Sequence, residues 1–315
     1  MPDLPASGRR ARGPRVSSAI TMTLASLLVA GGCGATVPAG EVAVVTETVA
    51  TVTGWPEQGG VAAPGTVEPR AEPQAEPDPP PGPAGADLDA VVAAAGIPGA
   101  GVATTPVGGA GEVRSAGAWE SGVAWSTIKV PMAVAVSRRD PAALEPHASA
   151  ITVSDDPAAQ NLWAYLGGAA DAAAAVGAVL AEAGDVVSRV PHVHTRVGYS
   201  IFGQTEWSLS EQARFAAALP CIAGAGAVVD LMGRVSPEQR WGLGRIPGAR
   251  FKGGWGPGEV GGYLVRQFGL VPAAGGDVAV ALAVDAPTFE QGTRALSAMA
   301  DALAARLGTA PGGRC

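Results

Sequence analysis

Ser126 and Lys129 place a hydroxyl and an amine at a spacing that suits nucleophilic chemistry. They lie in the stretch AWSTIKVP, residues 124–131. Residues three apart share one face of a helix, so the two side chains are within reach of each other. A hydroxyl is a weak nucleophile until a neighbouring base removes its proton. Ser-x-x-Lys also occurs by chance in many proteins, and Ser126 taken alone is equally suited to cap a helix.

The use of lysine favours the chemical interpretation. The chain contains only two lysines, Lys129 and Lys252, and all its other basic side chains apart from histidine are arginine. Arginine keeps its proton in proteins, whereas a buried lysine can lose its proton and act as a base. Lysine at these two positions therefore indicates a role that arginine does not fill.

Two further motifs follow along the chain. Ser154-Asp155-Asp156 precedes a predicted helix, and its serine hydroxyl is suited to passing a proton. By itself this motif favours a structural interpretation, with Asp156 as the N-cap and Pro157 as the first helical residue. The second motif, FKGGW at residues 251–255, ends a predicted strand and carries the other lysine. Glycines at a strand edge allow a ligand to approach the backbone closely.

Composition excludes several classes of function. The net charge of −7 and the pI near 5.0 argue against a nucleic-acid partner. The three cysteines match no zinc-site spacing, and the three histidines are too few and too poorly spaced for a metal cluster. We therefore expect no metal and no cofactor.

The first 86 residues predict export and tethering. Residues 1–33 have an arginine-rich start, an apolar run and small residues before Cys33, a pattern similar to a bacterial lipobox. We expect Cys33 to carry a lipid that anchors the protein to the outer face of the cytoplasmic membrane; the alternative is an ordinary signal peptide. Residues 34–86 are rich in proline and predict a disordered tether.

Residues 87–315 predict one folded domain of mixed helix and strand. Short strands are expected near residues 99–104 and 112–116, and further strands at 250–253, 262–270 and 278–285. Alanine-rich periodic segments between them predict helices at 157–166, 169–182 and 210–219, and a long amphipathic helix is expected at 289–307. This order indicates a two-lobed α/β (α+β) domain, with an antiparallel sheet built from both chain ends and an inserted helical lobe.

Ser-x-x-Lys, Ser-Asp-x and Lys-x-Gly, in this order, resemble the motifs of the active-site serine enzymes that comprise penicillin-binding proteins and β-lactamases, class A most closely. The resemblance covers about residues 87–308. It implies that Ser126 is the nucleophile, Lys129 the acylation base and Ser154 the proton shuttle, with Lys252 as its electrostatic partner. It also implies an oxyanion hole formed by the backbone N–H groups of Ser126 and Trp255.

The chain departs from the family pattern at three points. Asp156 replaces the usual Asn, and Gly253 replaces the usual Thr or Ser beside Gly254. No Glu-x-x-Leu-Asn occurs, although that motif carries the deacylating Glu of class A enzymes. Glu206 comes near it, but Ser208 and Glu211 favour a capping box there, and His192 or His194 is an alternative base. We therefore expect slow deacylation.

The sequence leaves three functions open. The first is an exported serine hydrolase or acyltransferase that acts on a β-lactam or peptide-like carbonyl. The second is a D-alanyl peptidase of cell-wall peptides, which needs the same residues. The third is a non-catalytic envelope lipoprotein that binds a cell-wall or protein ligand. The replacements at Asp156 and Gly253 favour the third function, while Ser126 and the two lysines oppose it.

Cys221 and Cys315 remain when Cys33 is assigned to the lipid. An exported chain meets oxidising conditions, so we expect these two cysteines to form a disulfide. The alternative is two unpaired thiols, because Cys315 is the last residue and is open to fraying.

Overall fold

The computed structural model describes residues 88–109, 111–307 and 310–315. The predicted signal sequence (1–33) with Cys33 and the predicted tether (34–86) lie outside the described residues. The strands are β1 (Ala100–Pro106), β2 (Arg114–Gly117), β3 (Arg250–Pro257), β4 (Tyr263–Ala273) and β5 (Gly276–Ala286). The helices are α1 (Leu88–Ala93), α2 (Lys129–Arg139), α3 (Pro141–Leu144), α4 (Ser149–Thr152), α5 (Asp156–Tyr165), α6 (Ala169–Glu182), α7 (Leu209–Ala218), α8 (Gly226–Met232) and α9 (Phe289–Leu307).

The five strands form one antiparallel sheet in the order β2-β1-β5-β4-β3. Its strands come from both ends of the described chain, and the helical segments from α2 to α8 are inserted between β2 and β3. The predicted α/β architecture with an inserted helical lobe is therefore confirmed. The order also leaves β3 at an edge, so one side of this strand has no neighbouring strand within the described part of the chain.

The central strand β5 shows how the sequence divides the core. Its alanines at 279, 281 and 283 face the cluster formed with the helical lobe. The larger residues at 278, 280, 282 and 284 alternate with them and face the cluster that contains α1 and α9. Successive side chains of a strand point to opposite faces, so this alternation fixes the register of β5. The helical lobe and the two terminal helices thus cover opposite faces of the sheet.

The strand β3 is longer than the sequence predicts. The glycines and the proline in FKGGWGP favour an end near Gly253, but β3 pairs with β4 without a break from Arg250 to Pro257. Pairing with a long neighbour and burial against the lobe outweigh the weak strand propensity of glycine. The Lys252 motif consequently lies inside a strand, not at its end.

No single helix among the described residues is long and apolar enough to cross a bilayer. Two strongly bent pairs reach that length and hydropathy only in combination, Asp156–Tyr165 with Ala169–Glu182 and Leu209–Cys221 with Gly226–Met232.

The last residues of the chain are attached to the sheet. Gly313 exchanges two backbone hydrogen bonds with Asp277, each of 2.9 Å, and Pro311 forms a bridge with Ala274. A disulfide joins Cys315 to Cys221, 94 positions earlier. The terminus is therefore held by backbone pairing and by a covalent bond.

Replacing Cys221 and Cys315 together by serine is expected to lower the free energy of unfolding by about 4 kcal/mol or less, because the unfolded chain regains the freedom of a long loop. Urea unfolding of the oxidised protein and of the double variant measures the difference. Reductant should destabilise the unsubstituted protein by a similar amount and leave the variant unchanged. Two free thiols per denatured, unreduced chain would show that the bond is absent from the protein in solution.

Candidate active site

Ser126 lies in a strained turn at the junction of the two lobes. It belongs to a 3-10 turn, Trp125–Ile128, and α2 begins at Lys129. Trp125 has a φ of 48°, a value that side-chain-bearing residues rarely adopt. Its ring packs edge-on against Tyr199 with 5.1 Å between centroids. Backbone strain of this kind persists where the surrounding structure enforces it, and it concentrates at functional sites.

The edge strand β3 passes directly beside this turn. A Cβ atom at Gly254 would lie 2.9 Å from the backbone nitrogen of Ser126 and 2.8 Å from the carbonyl oxygen of Ala124. A Cβ atom at Gly256 would lie 2.4 Å from the Trp125 ring. Only glycine fits such approaches, which explains why these positions interrupt an otherwise ordinary strand. The candidate nucleophile therefore lies against the backbone of β3.

Lys129 points into the site from the first turn of α2. It is fully buried. Its ammonium donates hydrogen bonds to the carbonyl oxygen of Ser154 at 2.8 Å and to Oδ1 of Asp156 at 2.6 Å. Burial lowers the pKa of Lys129, while the hydrogen bond and charge of Asp156 and the charge of Asp155 act in the opposite direction. The net lowering makes the amine a better base at neutral pH than an exposed lysine.

Ser154 joins the two lysines. Its hydroxyl accepts a hydrogen bond of 2.8 Å from Lys252 Nζ, which also donates to the carbonyl oxygen of Gly253 at 2.8 Å. Burial, and then the positive charge of Lys129, hold the pKa of Lys252 well below its usual value, with Asp156 opposing. Ser154 has a φ of 60°, so it is the second strained residue of the site. The structure thus brings Lys129, Ser154 and Lys252 into one hydrogen-bonded group, whose Lys129 lies one helical turn after Ser126.

The prediction that Asp156 caps α5 is wrong. The cap is Asp155, whose Oδ1 accepts a hydrogen bond of 2.6 Å from the nitrogen of Ala158. Asp156 is already the first helical residue, and Pro157 is the second. The side chain of Asp156 is 77% exposed and pairs with the buried ammonium of Lys129. Capping by its neighbour leaves Asp156 available to the site.

Two tryptophans flank the glycines of the motif. A Cβ atom at Gly253 would lie 3.1 Å from the ring of Trp241, so this ring fills the space beside the strand. Trp241 and Trp255 contact each other edge-on with 5.9 Å between ring centroids, and both pack on Phe289. A larger side chain at Gly253 would have to displace the Trp241 ring. The oxyanion hole at the N–H groups of Ser126 and Trp255 stays a prediction.

The candidate deacylating groups are not part of this hydrogen-bonded group. Glu206 is exposed, pairs with Val123 in a β-bridge, and accepts a hydrogen bond of 3.4 Å from the hydroxyl of Ser121. His192 and His194 are exposed. The capping box is present in part, since Ser208 Oγ accepts a hydrogen bond from the nitrogen of Glu211. Among the described residues, no group of three His, Cys, Asp or Glu side chains is placed to hold a metal ion.

Gln204 is an organising residue that the sequence analysis did not identify. Its side-chain oxygen accepts from Thr195 and from the nitrogen of Arg196, and its nitrogen donates to the carbonyls of Arg196, Tyr199 and Ser200. These hydrogen bonds hold the irregular segment in place, and this segment contains Tyr199, which packs against the Trp125 ring. Nothing in the local sequence distinguishes this glutamine from an exposed one.

Arg266 is the second such residue. It is fully buried and donates to the carbonyls of Gly122 and Val123 at 2.7 and 3.1 Å, and to that of Trp207 at 2.8 Å. Burial lowers its pKa to about 9, so the guanidinium remains protonated at neutral pH. Arg266 therefore joins the chain before Ser126 to the end of the irregular segment. An arginine in a chain rich in arginine gives no sequence signal for this role.

The antiparallel sheet and the inserted helical lobe together form a β-lactamase-like fold. Solved structures share it. A β-lactamase from Sphaerobacter thermophilus is 20% identical with a TM-score of 0.55, covering 71% of this chain and 98% of that one. A β-lactamase from Chitinophaga pinensis is 14% identical with a TM-score of 0.54, covering 69% and 97%.

A double mutant of the class A β-lactamase of the last common ancestor of Gram-negative bacteria is 20% identical with a TM-score of 0.54, covering 70% of this chain and 99% of that one. No family model and no curated protein matches the sequence. The predicted β-lactamase-like fold is thus confirmed by structures of low sequence identity.

Proposed function

We propose that the protein is an exported active-site serine hydrolase or acyltransferase that acts on a β-lactam or peptide-like carbonyl through an acyl-enzyme at Ser126. The observation that carries the proposal is that the two lysines of the chain, both buried, meet at Ser154, and that Lys129 follows Ser126 by three residues at the start of α2. Burying two lysines together is costly, and such an arrangement is typical of sites that need perturbed amines.

The chemistry follows from these positions. Neutral Lys129 takes the proton of Ser126 Oγ as this oxygen attacks the carbonyl carbon. The carbon–nitrogen bond of the substrate then breaks, and Ser154 Oγ passes a proton to the leaving nitrogen. Ser154 regains its proton from Lys129, and the hydrogen bond donated by Lys252 Nζ stabilises the hydroxyl oxygen while it is deprotonated. A water molecule or an acceptor amine finally releases the acyl group.

A fluorescent penicillin tests the proposal on the purified protein. We expect one covalent adduct per chain by intact mass, mapped to the peptide that contains Ser126. Ser126→Ala should give no adduct, and Ser121→Ala, a matched exposed serine nearby, should label normally. Labelling of Ser126→Ala, or no labelling of the unsubstituted protein by any β-lactam or D-alanyl-D-alanine ester, would overturn the proposal.

One observation favours the non-catalytic alternative. The ion pair of 2.6 Å between Lys129 and Asp156 stabilises the protonated amine, which is not a base. A binding protein of the cell envelope would keep the fold and this ion pair without turnover. Such a protein would bind cell-wall peptides reversibly, and its affinity would not change in Ser126→Ala.

The proposed location is the outer face of the cytoplasmic membrane, through a lipid on Cys33. The support is the order of an arginine-rich start, an apolar run and small residues before the cysteine. Cys33→Ala should release the protein from the membrane fraction or block its processing. A soluble unsubstituted protein cleaved at another position would contradict this location.

A further inference from the structure

The carboxylate of Asp156 is the accessible charge of the site. Its Oδ1 atom binds Lys129 at 2.6 Å, and Oδ2 has no hydrogen-bond or ion-pair partner among the described residues. The side chain is 77% exposed, whereas the side chain of Lys129 is 1% exposed. A ligand that enters the site therefore meets the free oxygen of the carboxylate before it meets the ammonium.

The positive charges of the site are turned inward. Lys252 is fully buried, with its donors directed to Ser154 and to the carbonyl oxygen of Gly253. Gly253 supplies no hydroxyl, and the Trp241 ring occupies the space that a side chain there would need. Lys252 and Gly253 therefore offer an incoming anion neither an exposed cation nor a hydroxyl. Asp156 Oδ2, by contrast, is exposed, accepts hydrogen bonds and donates none.

From this arrangement we infer that Asp156 Oδ2 binds a protonated amine in the acyl part of the substrate, close to the carbonyl that Ser126 attacks. The inference rests on the proposed function and names its substrate class: acyl donors with an ammonium group next to the reacting acyl portion. An ammonium donates to a carboxylate in a charge-assisted hydrogen bond, which is stronger than one between neutral groups.

Binding of such a cation also affects the base. The groups that face Lys129 with charge are Asp155, Asp156 and Lys252. A substrate ammonium at Asp156 competes with Lys129 for the carboxylate and adds a second positive charge beside the buried amine. Both effects favour loss of the Lys129 proton, so binding of the preferred substrate promotes activation of Ser126.

Ampicillin and benzylpenicillin form a matched pair of probes, because ampicillin differs only by an α-amino group on its acyl side chain. We expect the unsubstituted protein to be acylated about three- to tenfold faster by ampicillin at about pH 6.5, below the usual pKa of an α-amino group. Rates are measured by intact mass. In Asp156→Asn the ratio of the acylation rate with ampicillin to that with benzylpenicillin should fall to about one. The main cause should be that acylation by benzylpenicillin becomes faster relative to acylation by ampicillin.

Glu259→Gln is the control, since it removes one exposed negative charge on the β3–β4 hairpin and leaves the network of Lys129, Ser154 and Lys252 unchanged. This variant should keep the preference for ampicillin. Equal rates for both penicillins in the unsubstituted protein, or an unchanged ratio in Asp156→Asn, would overturn the inference. Loss of the preference in Glu259→Gln would assign it to general attraction of cations and would overturn the inference as well.

Noncovalent binding separates this inference from the proposed function. Calorimetry on Ser126→Ala compares the affinities of the two penicillins without acylation. One outcome separates the two: neither penicillin acylates the unsubstituted protein, but Ser126→Ala binds ampicillin more tightly than benzylpenicillin, and adding Asp156→Asn removes this preference. In that case the proposed activity fails and the amine site stands. Equal affinities in Ser126→Ala would overturn the amine site even if acylation occurs.

Discussion

Replacing Lys129 by arginine is expected to lower the rate of acylation at Ser126 by about 10²–10⁴-fold, the usual contribution of a positioned general base. The variant keeps the positive charge beside Asp156, but a guanidinium does not give up its proton and so cannot accept that of Ser126. The measurement is the rate of adduct formation with a fluorescent penicillin, followed by intact mass.

Arg138→Lys provides the converse control on the same helix. This half-buried arginine pairs with Glu182 away from the site, and lysine preserves the pair, so labelling should be unaffected. Far-UV circular dichroism and thermal unfolding verify that Lys129→Arg is folded, since arginine is larger than the buried lysine. A folded Lys129→Arg that labels at the original rate would exclude Lys129 as the base.

The same assignment fixes the direction of the pH dependence. The base acts when neutral, so acylation should rise with pH through the pKa of Lys129 and then level off. Because burial lowers that pKa, the rise should end below the range in which an exposed lysine titrates. Asp156→Asn removes a group that raises the pKa and should move the rise to lower pH.

The acyl-enzyme is expected to accumulate, with deacylation about 10²–10⁴-fold slower than in an enzyme with a positioned base for water. The acids that contact the serine–lysine group are Asp155, which caps α5, and Asp156, which is paired with Lys129. Glu206, His192 and His194 make no hydrogen bond to this group in the described residues. A chromogenic β-lactam should therefore give one rapid turnover per chain and then a slow phase.

Intact mass taken during the slow phase should show nearly complete acylation, and Ser126→Ala should show neither phase. Rapid turnover at a constant rate would contradict the expectation and would require another base. Glu206→Gln, His192→Gln and His194→Gln would then identify that base by the loss of the steady rate without loss of the first turnover.

Much of the fold was predictable from local pattern. The bounds of α6 and α9 agree with the sequence prediction because both helices are long and keep one apolar face over several turns. The alternation of alanine with larger residues in β5 reflects burial on both faces. The pairing of Cys221 with Cys315 was expected from the small number of cysteines, and the structure contains that bond.

Local pattern was misleading where long-range contact decides the conformation. The weak strand propensity of glycine led to a predicted end of β3 that is too early. The glycines are present because the Ser126 turn and the Trp125 ring approach the strand closely. The assignment of Asp156 as the cap of α5 was also wrong, because the cap is Asp155. Both side chains suit a cap, and the decision depends on Lys129, which takes Asp156 as its partner.

The sequence by itself determined the candidate chemistry: a serine with a lysine one turn later, a second serine and a second lysine, in a chain that otherwise uses arginine. Only the tertiary structure decided that Lys252 reaches Ser154 across 98 positions and that Asp156 stays exposed. Gln204 and Arg266 likewise gain their roles only in the folded chain. Their side chains donate hydrogen bonds to backbone carbonyl oxygens that come together only on folding. The local sequence does not indicate which carbonyl oxygens these are.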